Sequence, residues 1–327
     1  MTDQRKQDHI NLTDISRPSS QLDLNGLYYE PLFSGHPNST DTVSHKFIGH
    51  NFNFPLWISS MTGGTNLAKK ININLAKACA EFKLGMGLGS CRSLIYGNER
   101  FEDFNVKKYM GDAPLYTNFG IAQLEELVDE GKLDKIVEIT KKLEAQGIII
   151  HVNPLQEWSQ AEGDRFKHSP ITTIEQVLDQ TNLAVMVKEV GQGFGPNSLR
   201  ALSKLPLEAI ELSGFGGTNF TLLEQLRDNS NNHFNQLANI GHTNKEMITW
   251  INEFDSTDMK CKQFIVSGGI QDPFQGYILN ESLNFNSVIG LASGVLKYAK
   301  EDYETLHNFL IEFTQNLLLA NNFLRRE

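Results

Sequence analysis

Residues 148–153 read IIIHVN and residues 183–188 read LAVMVK, and these two stretches decide the fold. Each is a continuous apolar run that ends in polar residues, which is typical of a parallel strand covered by helices. A polar or Gly-rich turn and then an amphipathic helical pattern follow each run. The chain is therefore predicted to repeat a βα unit.

Eight runs of this kind occur along the chain, and right-handed βα units of that number close naturally into an α/β fold, the TIM (β/α)8 barrel. No Pro- or Ser-rich linker divides the sequence, so we predict one domain over 1–327 with an N-terminal extension at 1–50. The predicted strands are Leu56–Ser59, Gly85–Leu88, Leu115–Asn118, Ile148–Asn153, Ala184–Lys188, Ala209–Ser213, Phe264–Ser267 and Val288–Leu291. The predicted helices are Leu67–Phe82, Ala122–Ala145, Thr173–Asn182, Asn197–Ser203, Phe220–Arg227, Asn244–Phe254 and one from Leu296 towards Leu324.

Composition limits the functional classes. With 327 residues, of which 40% are hydrophobic, the chain can bury a large core. A net charge of −10 disfavours nucleic acid as a partner, and no apolar run approaches the roughly 20 residues of a membrane span. The three cysteines lack metal-ligand spacing, which agrees with a reducing compartment. We therefore expect a cytoplasmic protein that binds neither nucleic acid nor membrane.

The segments that follow the strands carry the unusual residues, where an active site lies in this fold. They read SSMTGG, GSCR, NFG, HVNPLQE, KEVGQG, SGFGGT, SGGI and GLASG. The glycines at 216–217 and 268–269 allow a phosphate to approach backbone N–H groups, although tight turns alone would also need them. The segment between Gly97 and Asp112 is weakly patterned. The Asn-rich stretch 228–244 is predicted to be a long loop, serving as a lid, an oligomer contact or a tolerated insertion.

Lys188 ends its apolar strand, so its stem would lie inside the barrel and its ammonium at the mouth. A buried ammonium needs a negative partner. A ligand edge such as that of a reduced flavin would supply one, and so would a purely structural pairing with Glu189 or Glu211.

Four motifs at strand ends and one near the N-terminus give the chain a family resemblance. With SSMTGG at 59–64, HVNPLQE at 151–157, VKEVGQG at 187–193, SGFGGTNF at 213–220 and RKQDHI at 5–10, the chain resembles the type 2 isopentenyl diphosphate isomerases. The resemblance runs from Arg5 to about the GLASG segment at 290–294. It departs at Cys91, where the family usually has Gln, and after GGI, where an Arg is common.

The resemblance implies a set of ligands and residues. It implies an FMN site, a Mg2+ ligand at Glu157, NADPH or NADH as reductant, and a tetrameric or octameric homo-oligomer. Gln156 and Lys188 are the implied catalytic residues, with Gln156 facing the allylic part of the substrate. The implied FMN contacts are Ser60, Met61, Thr62, Ser90, Asn118, Lys188, Ser213, Gly217, Thr218, Gly268, Gly269, Leu291 and Ala292. The implied substrate contacts are Arg5, Lys6, His9, Arg92, His151, Asn153 and Gln156. Without the motif match, Arg5, Lys6 and His9 would be typical of a solvated terminus.

The implied reaction interconverts isopentenyl and dimethylallyl diphosphate by adding a proton at C4 and removing one from C2. No pair of carboxylates or Cys–Glu arrangement at the strand ends suggests a protein acid and base, and in the family reduced FMN carries the proton through N5. One alternative is an FMN oxidoreductase acting on a 2-hydroxy acid or a dihydropyrimidine, with His151 as its base. Another is a non-catalytic flavin- or phosphate-binding barrel.

Overall fold

The computed structural model describes residues 2–61, 63–227 and 235–326. Eight parallel strands form a closed barrel in sequence order, and the last strand pairs with the first through Ile289 opposite Leu56 and Leu291 opposite Ile58. The predicted barrel is therefore confirmed, with strand ends displaced by one or two residues. The strands are β1 (Leu56–Ile58), β2 (Gly85–Gly87), β3 (Leu115–Gly120), β4 (Gly147–Val152), β5 (Ala184–Glu189), β6 (Ala209–Glu211), β7 (Gln263–Ser267) and β8 (Asn286–Leu291).

Helices surround the barrel, and most pack an apolar face on the outside of the strands, whereas Thr2–Leu12 near the N-terminus has none of its described side chains buried. In the described part of the chain they are α1 (Thr2–Leu12), α2 (Asn66–Phe82), α3 (Arg92–Tyr96), α4 (Phe101–Phe104), α5 (Ile121–Asp129), α6 (Asp134–Lys142), α7 (Pro154–Ser159), α8 (Pro170–Gln180), α9 (Pro196–Ser203), α10 (Phe220–Arg227), α11 (Asn244–Asn252), α12 (Pro273–Ser282), α13 (Ser293–Glu301) and α14 (Tyr303–Phe323).

Two predicted long helices are each divided in the structure. The prediction Ala122–Ala145 is wrong between α5 and α6, because Gly131 adopts a φ of +64° that an α-helix does not contain. The prediction from Leu296 towards Leu324 is wrong at Asp302, whose extended backbone separates α13 from α14. The Asp302 side chain accepts a hydrogen bond from Thr305 N at 2.8 Å and so caps α14.

The remaining differences are helices that the prediction lacks, and these include α1, α3, α7 and α12. Segment 97–112 contains α4 and a 3-10 turn at Lys107–Tyr109. Residues 228–234 of the predicted long loop lie outside the described residues, and a 3-10 turn occupies Asn235–Asn239.

The N-terminal extension closes the bottom of the barrel. An antiparallel hairpin pairs His45–Phe47 with His50–Phe52, and Phe47, Ile48 and Phe52 are buried. Their side chains pack against the lower interior of the barrel, and Ile48 N donates to Gln263 Oε1 at 2.8 Å. This apolar plug leaves the opposite, C-terminal end of the strands as the open end.

No helix within the described residues is long and apolar enough to cross a membrane. The longest, α14, packs against α2, α12 and α13. Just after it, Leu324–Arg325 pairs antiparallel with Tyr28–Tyr29 of the N-terminal extension.

Candidate active site at the carboxyl ends of the strands

The interior of the barrel has two layers of opposite character. Side chains two residues apart on a strand share a face, so each strand contributes to both layers. The lower layer is apolar apart from the hydroxyl of Tyr116 and the indole N–H of Trp57, and it contacts the hairpin plug. It contains Trp57, Gly85, Tyr116, Ile149, Met186, Ala209, Ile265 and Val288. The upper layer, which we call the polar ring, contains Ser59, Gly87, Asn118, His151, Lys188, Glu211, Ser267 and Gly290.

Several polar atoms of this region are buried without a hydrogen-bond partner among the described residues. They include Ser59 Oγ, Ser60 Oγ and Glu211 Oε2, all of which belong to residues lining one cleft at the mouth. Buried polar groups are almost always paired, because an unpaired one costs about 1–3 kcal/mol. The cleft is thus suited to a ligand whose polar edge faces the ring.

Lys188 lies on the same cleft and its side chain is buried. Its Nζ donates to the carbonyl of Glu189 at 2.6 Å, and it forms no ion pair with Glu189 or Glu211, both described. The carboxylate of Glu189 is engaged elsewhere, because its Oε2 accepts from the N–H groups of Gly191, Gln192 and Gly193 at 2.7, 2.5 and 2.8 Å. The structural pairing considered for Lys188 is therefore not observed.

Glycines form a second wall of the cleft where the loops after β6 and β7 meet. A Cβ at Gly268 would lie 2.3 Å from Gly214 N, and one at Gly217 would lie 2.6 Å from Gly269 N. Gly268 also has a φ of +99°. These loops therefore need glycine, and their backbone approaches the start of α13, whose N-terminus favours an anion.

His151 is neutral at physiological pH. Desolvation, and then the charge of Lys188, lower its pKa to about 3. Its Nδ1 lies 2.6 Å from Asn118 Oδ1, which in the assigned amide orientation requires the proton on Nδ1. His151 therefore adds no positive charge to the predicted substrate contacts, and an imidazole with this low pKa is a poor general base.

The NPLQE motif turns from β4 into α7, with Pro154 at the first helical turn. Asn153 Nδ2 donates to Gln156 Oε1 at 3.1 Å and to Glu157 Oε1 at 2.9 Å. The other Glu157 oxygen accepts from Asp164 N at 2.8 Å, and the residue is buried. The structure thus brings together Asn153, Gln156 and Glu157, whose roles stay predictions.

Arg92 is tied to this group through Asp164, a residue that sequence reasoning missed. Arg92 Nη1 lies 3.1 Å from Asp164 Oδ2, which also accepts from Gln123 Nε2 at 2.8 Å. Arg92 is half exposed, so its guanidinium is held beside the motif while still reaching solvent. Asp164 therefore links the predicted diphosphate-binding arginine to the predicted metal ligand.

Arg5, Lys6 and His9 are not brought to this group. They lie on α1 and all three are exposed. The side-chain hydrogen bonds described for α1 stay local, such as that from Gln4 to Asp8. Their role as substrate contacts stays a prediction.

The predicted FMN contacts divide into two groups. One group lines the cleft itself: Ser60, Lys188, Ser213, Gly217, Thr218, Gly268, Gly269 and Ala292. Of the others, Asn118 is in the polar ring, Ser90 is exposed, Met61 is partly buried, and the Leu291 side chain lies in the core. Thr62 lies outside the described residues.

Sequence reasoning missed Ser59, Ser267 and Gly290 as cleft residues, and gave Glu211 only a structural role. The signal was available, because counting by two along each strand from Trp57, Ile265, Val288 and Ala209 reaches them. Cys91, the departure from the family pattern, is buried with Sγ near Gly89 O, and burial raises its thiol pKa to about 12. It is therefore a packing residue.

A closed barrel with an apolar plug below and a polar ring above, open at the carboxyl ends of its strands, defines a (β/α)8-barrel enzyme. No protein-family model matches the chain. The isopentenyl-diphosphate delta-isomerase of Rickettsia typhi is 31% identical over 307 residues, covering 90% of this chain and 86% of the relative. That of Picrophilus torridus is 31% identical over 312 residues, covering 93% and 86%. The chain belongs to the isopentenyl-diphosphate delta-isomerase family.

Further comparisons agree with this assignment at a coarser level. The isomerase of Borrelia garinii is 36% identical over 191 residues, and that match spans 58% of this chain and about half, 53%, of the relative. Among solved structures, a mutant flavocytochrome b2 with pyruvate bound gives a TM-score of 0.63 at 11% identity, covering 92% of this chain and 72% of that one. A mandelate oxidase mutant with (S)-mandelic acid gives 0.58 at 14% identity, covering 92% and 82%. These two structures share the fold.

Proposed function

We propose that this enzyme interconverts isopentenyl and dimethylallyl diphosphate with FMN held over the polar ring. The observation that carries the proposal is the set of unpaired buried atoms, Ser59 Oγ, Ser60 Oγ and Glu211 Oε2, beside Lys188 in one cleft. Family membership supplies the reaction and the substrates. The cleft supplies the chemistry that such a cofactor requires.

The residues present fit FMN by two independent features. The unpaired polar atoms of the ring suit a flat ring system edged with hydrogen-bonding groups, and Lys188 provides a positive charge for a reduced flavin. The crowded glycine loops and the start of α13 suit its phosphate. When bound and reduced, FMN supplies the acid–base chemistry of the proton shift. The residues that would hold it are those predicted above, now joined by Ser59, whose hydroxyl is unpaired among the described residues.

The diphosphate end of the substrate is assigned to the group around α7. Arg92 offers a guanidinium that suits phosphate oxygens, and Asn153 offers an amide beside Glu157. Glu157 is the proposed Mg2+ ligand, because Mg2+ takes one or two carboxylates together with substrate phosphates and waters. Arg5, Lys6 and His9 are proposed to complete the pocket when the diphosphate is bound.

The residues of the chain then have separate tasks. Lys188 holds a positive charge in a buried position, where it would stabilise negative charge on a reduced flavin bound in the cleft. Gln156, fixed by Asn153, orients the allylic part of the substrate. The apolar lower layer and the hairpin plug exclude water from below.

The 2-hydroxy acid alternative would need a base beside the flavin. His151 has a pKa lowered to about 3, so its neutral imidazole is a weak base and is poorly suited to abstract a proton. NADPH as reductant, a homo-oligomer and a cytoplasmic location belong to the same proposal.

An omission assay tests the proposal. The protein is incubated anaerobically with FMN, Mg2+, NADPH and isopentenyl diphosphate, dimethylallyl diphosphate is followed, and each component is left out in turn. We expect product only in the complete mixture, and Lys188→Ala should abolish it while Lys46→Ala, on the exposed face of the bottom hairpin, should not. Product formation in air with oxidised flavin and no reductant would contradict the proposal.

A further inference from the structure

Glu211 is a buried acid on the floor of the cleft. It ends β6, its exposure is 1%, and it lines the cleft together with Lys188. Glu211 and Lys188 are register partners in the parallel pair of β5 and β6, so their backbones lie about 4.8 Å apart. The two side chains enter the same layer side by side.

Among the residues that the structure describes, one oxygen of this carboxylate has a hydrogen-bond partner and the other has none. Oε1 accepts from Ser267 Oγ at 3.0 Å, whereas Oε2 is buried without a hydrogen-bond partner among the described residues. Ser267 Oγ in turn accepts from Ser213 N at 3.1 Å, which fixes its donor towards Glu211. A carboxylate held in this way is costly to bury, and within the described part of the chain no group hydrogen-bonds to its second oxygen.

Lys188 shows the complementary arrangement. Its Nζ is bonded to the Glu189 carbonyl, and the Glu189 carboxylate is occupied by the loop after β5. Neutral His151 adds no charge to the ring. Lys188 and Glu211 are therefore the two charged residues of the polar ring, one positive and one negative.

We propose that Glu211 is a positioning residue that balances the charge of Lys188 beneath the bound flavin. This inference rests on the proposed function and deepens it. Lys188 alone would favour the anionic form of the reduced flavin, which lacks the proton at N1. A carboxylate in the same layer offsets that field, so the reduced flavin keeps this proton to higher pH.

The test uses the holoenzyme of Glu211→Gln, with Glu208→Gln as the matched control. Glu208 immediately precedes the same strand at its opposite end, three residues and about 10 Å from Glu211. The absorbance of the anaerobically reduced flavin is recorded against pH. We expect Glu211→Gln to lower the N1 pKa by about one unit, which is tenfold in the ionisation constant, and Glu208→Gln to leave it unchanged.

Two further variants separate charge from structure. Glu211→Asp keeps the charge and should retain most of the wild-type N1 pKa. Ser267→Ala removes the hydroxyl that orients Glu211 and should shift the pKa in the same direction as Glu211→Gln by a smaller amount. If Glu211→Gln does not retain FMN, the Ser267→Ala shift decides the question.

An unchanged N1 pKa in Glu211→Gln, or an equal shift in Glu211→Asp, would overturn the inference. Failure of the proposed function looks different, because the wild-type protein itself would then bind no FMN or form no dimethylallyl diphosphate. A wild type that binds FMN and isomerises, together with a Glu211→Gln flavin that titrates normally, would refute only the role of Glu211.

Discussion

Replacing Glu189 by Gln tests how the loop that carries the cleft is held. One buried oxygen, Glu189 Oε2, accepts three successive backbone N–H groups, at Gly191, Gln192 and Gly193. A hydrogen bond to a charged acceptor contributes about 1.5–3 kcal/mol, against about 0.5–1.5 kcal/mol for a neutral one. Replacing three hydrogen bonds to a charged acceptor by three to a neutral one therefore costs about 3–4 kcal/mol of stability. The amide offsets part of this loss because it is cheaper to bury, and burial does raise the pKa of Glu189.

We therefore expect Glu189→Gln to lower the free energy of unfolding by about 2–3 kcal/mol. Urea unfolding followed by circular dichroism measures this change, and an FMN titration reports the loop, because Val190 and Gly191 line the cleft. Glu253→Gln, an exposed residue at the end of α11, serves as the control and should change stability by less than about 0.5 kcal/mol. A Glu189→Gln protein as stable as the control variant would refute the reasoning.

Three more predictions follow from the same contacts. Gly268→Ala should abolish FMN binding because the added Cβ would collide with the backbone of the neighbouring loop, whereas Gly35→Ala, where a Cβ would lie in open space, should not. Wild-type affinity of Gly268→Ala in an FMN titration would contradict this. The pKa of His151 is lowered, so its contribution to stability is complete above about pH 6.5 and is lost as the pH falls towards 3. In His151→Asn the midpoint of urea unfolding should therefore depend less on pH between about pH 7 and 5 than in the wild type, and an unchanged pH dependence would refute this. Asp164→Asn should raise the KM for isopentenyl diphosphate with little change in kcat, because Arg92 loses its ion-pair partner, and it should change the free energy of unfolding by under about 1 kcal/mol. A lower KM would argue against Asp164 as the residue that positions Arg92.

The strands were predictable because burial on both faces makes each one a continuous apolar run. All eight lie where the pattern predicts, and the barrel order follows from the right-handed crossover. The helices were harder, since an amphipathic pattern continues across a break that one residue causes, as at Gly131. The start of α12 was signalled by Asp272 and Pro273, a cap and a first-turn proline, but its mixed apolar pattern concealed the helix.

The site residues were predictable where a sequence motif contains them, and less so where their position depends on tertiary packing. The grouping of Asn153, Gln156 and Glu157 needed only the turn from β4 into α7. Asp164 was missed because its position depends on a loop folding back onto α7, which no local pattern encodes. The neutral state of His151 depends on burial and on Lys188 from the next strand, so residue type alone suggests the wrong charge.

The most direct test of the account is the ratio of product formed to reductant consumed. Anaerobic turnover of isopentenyl diphosphate is followed by NMR in D2O while NADPH is followed by absorbance. An isomerase with no net redox change should form many molecules of dimethylallyl diphosphate for each NADPH oxidised, with deuterium entering the new methyl group at C4. One NADPH oxidised per product, or flavin reduction without any dimethylallyl diphosphate, would contradict the isomerase assignment and favour an oxidoreductase.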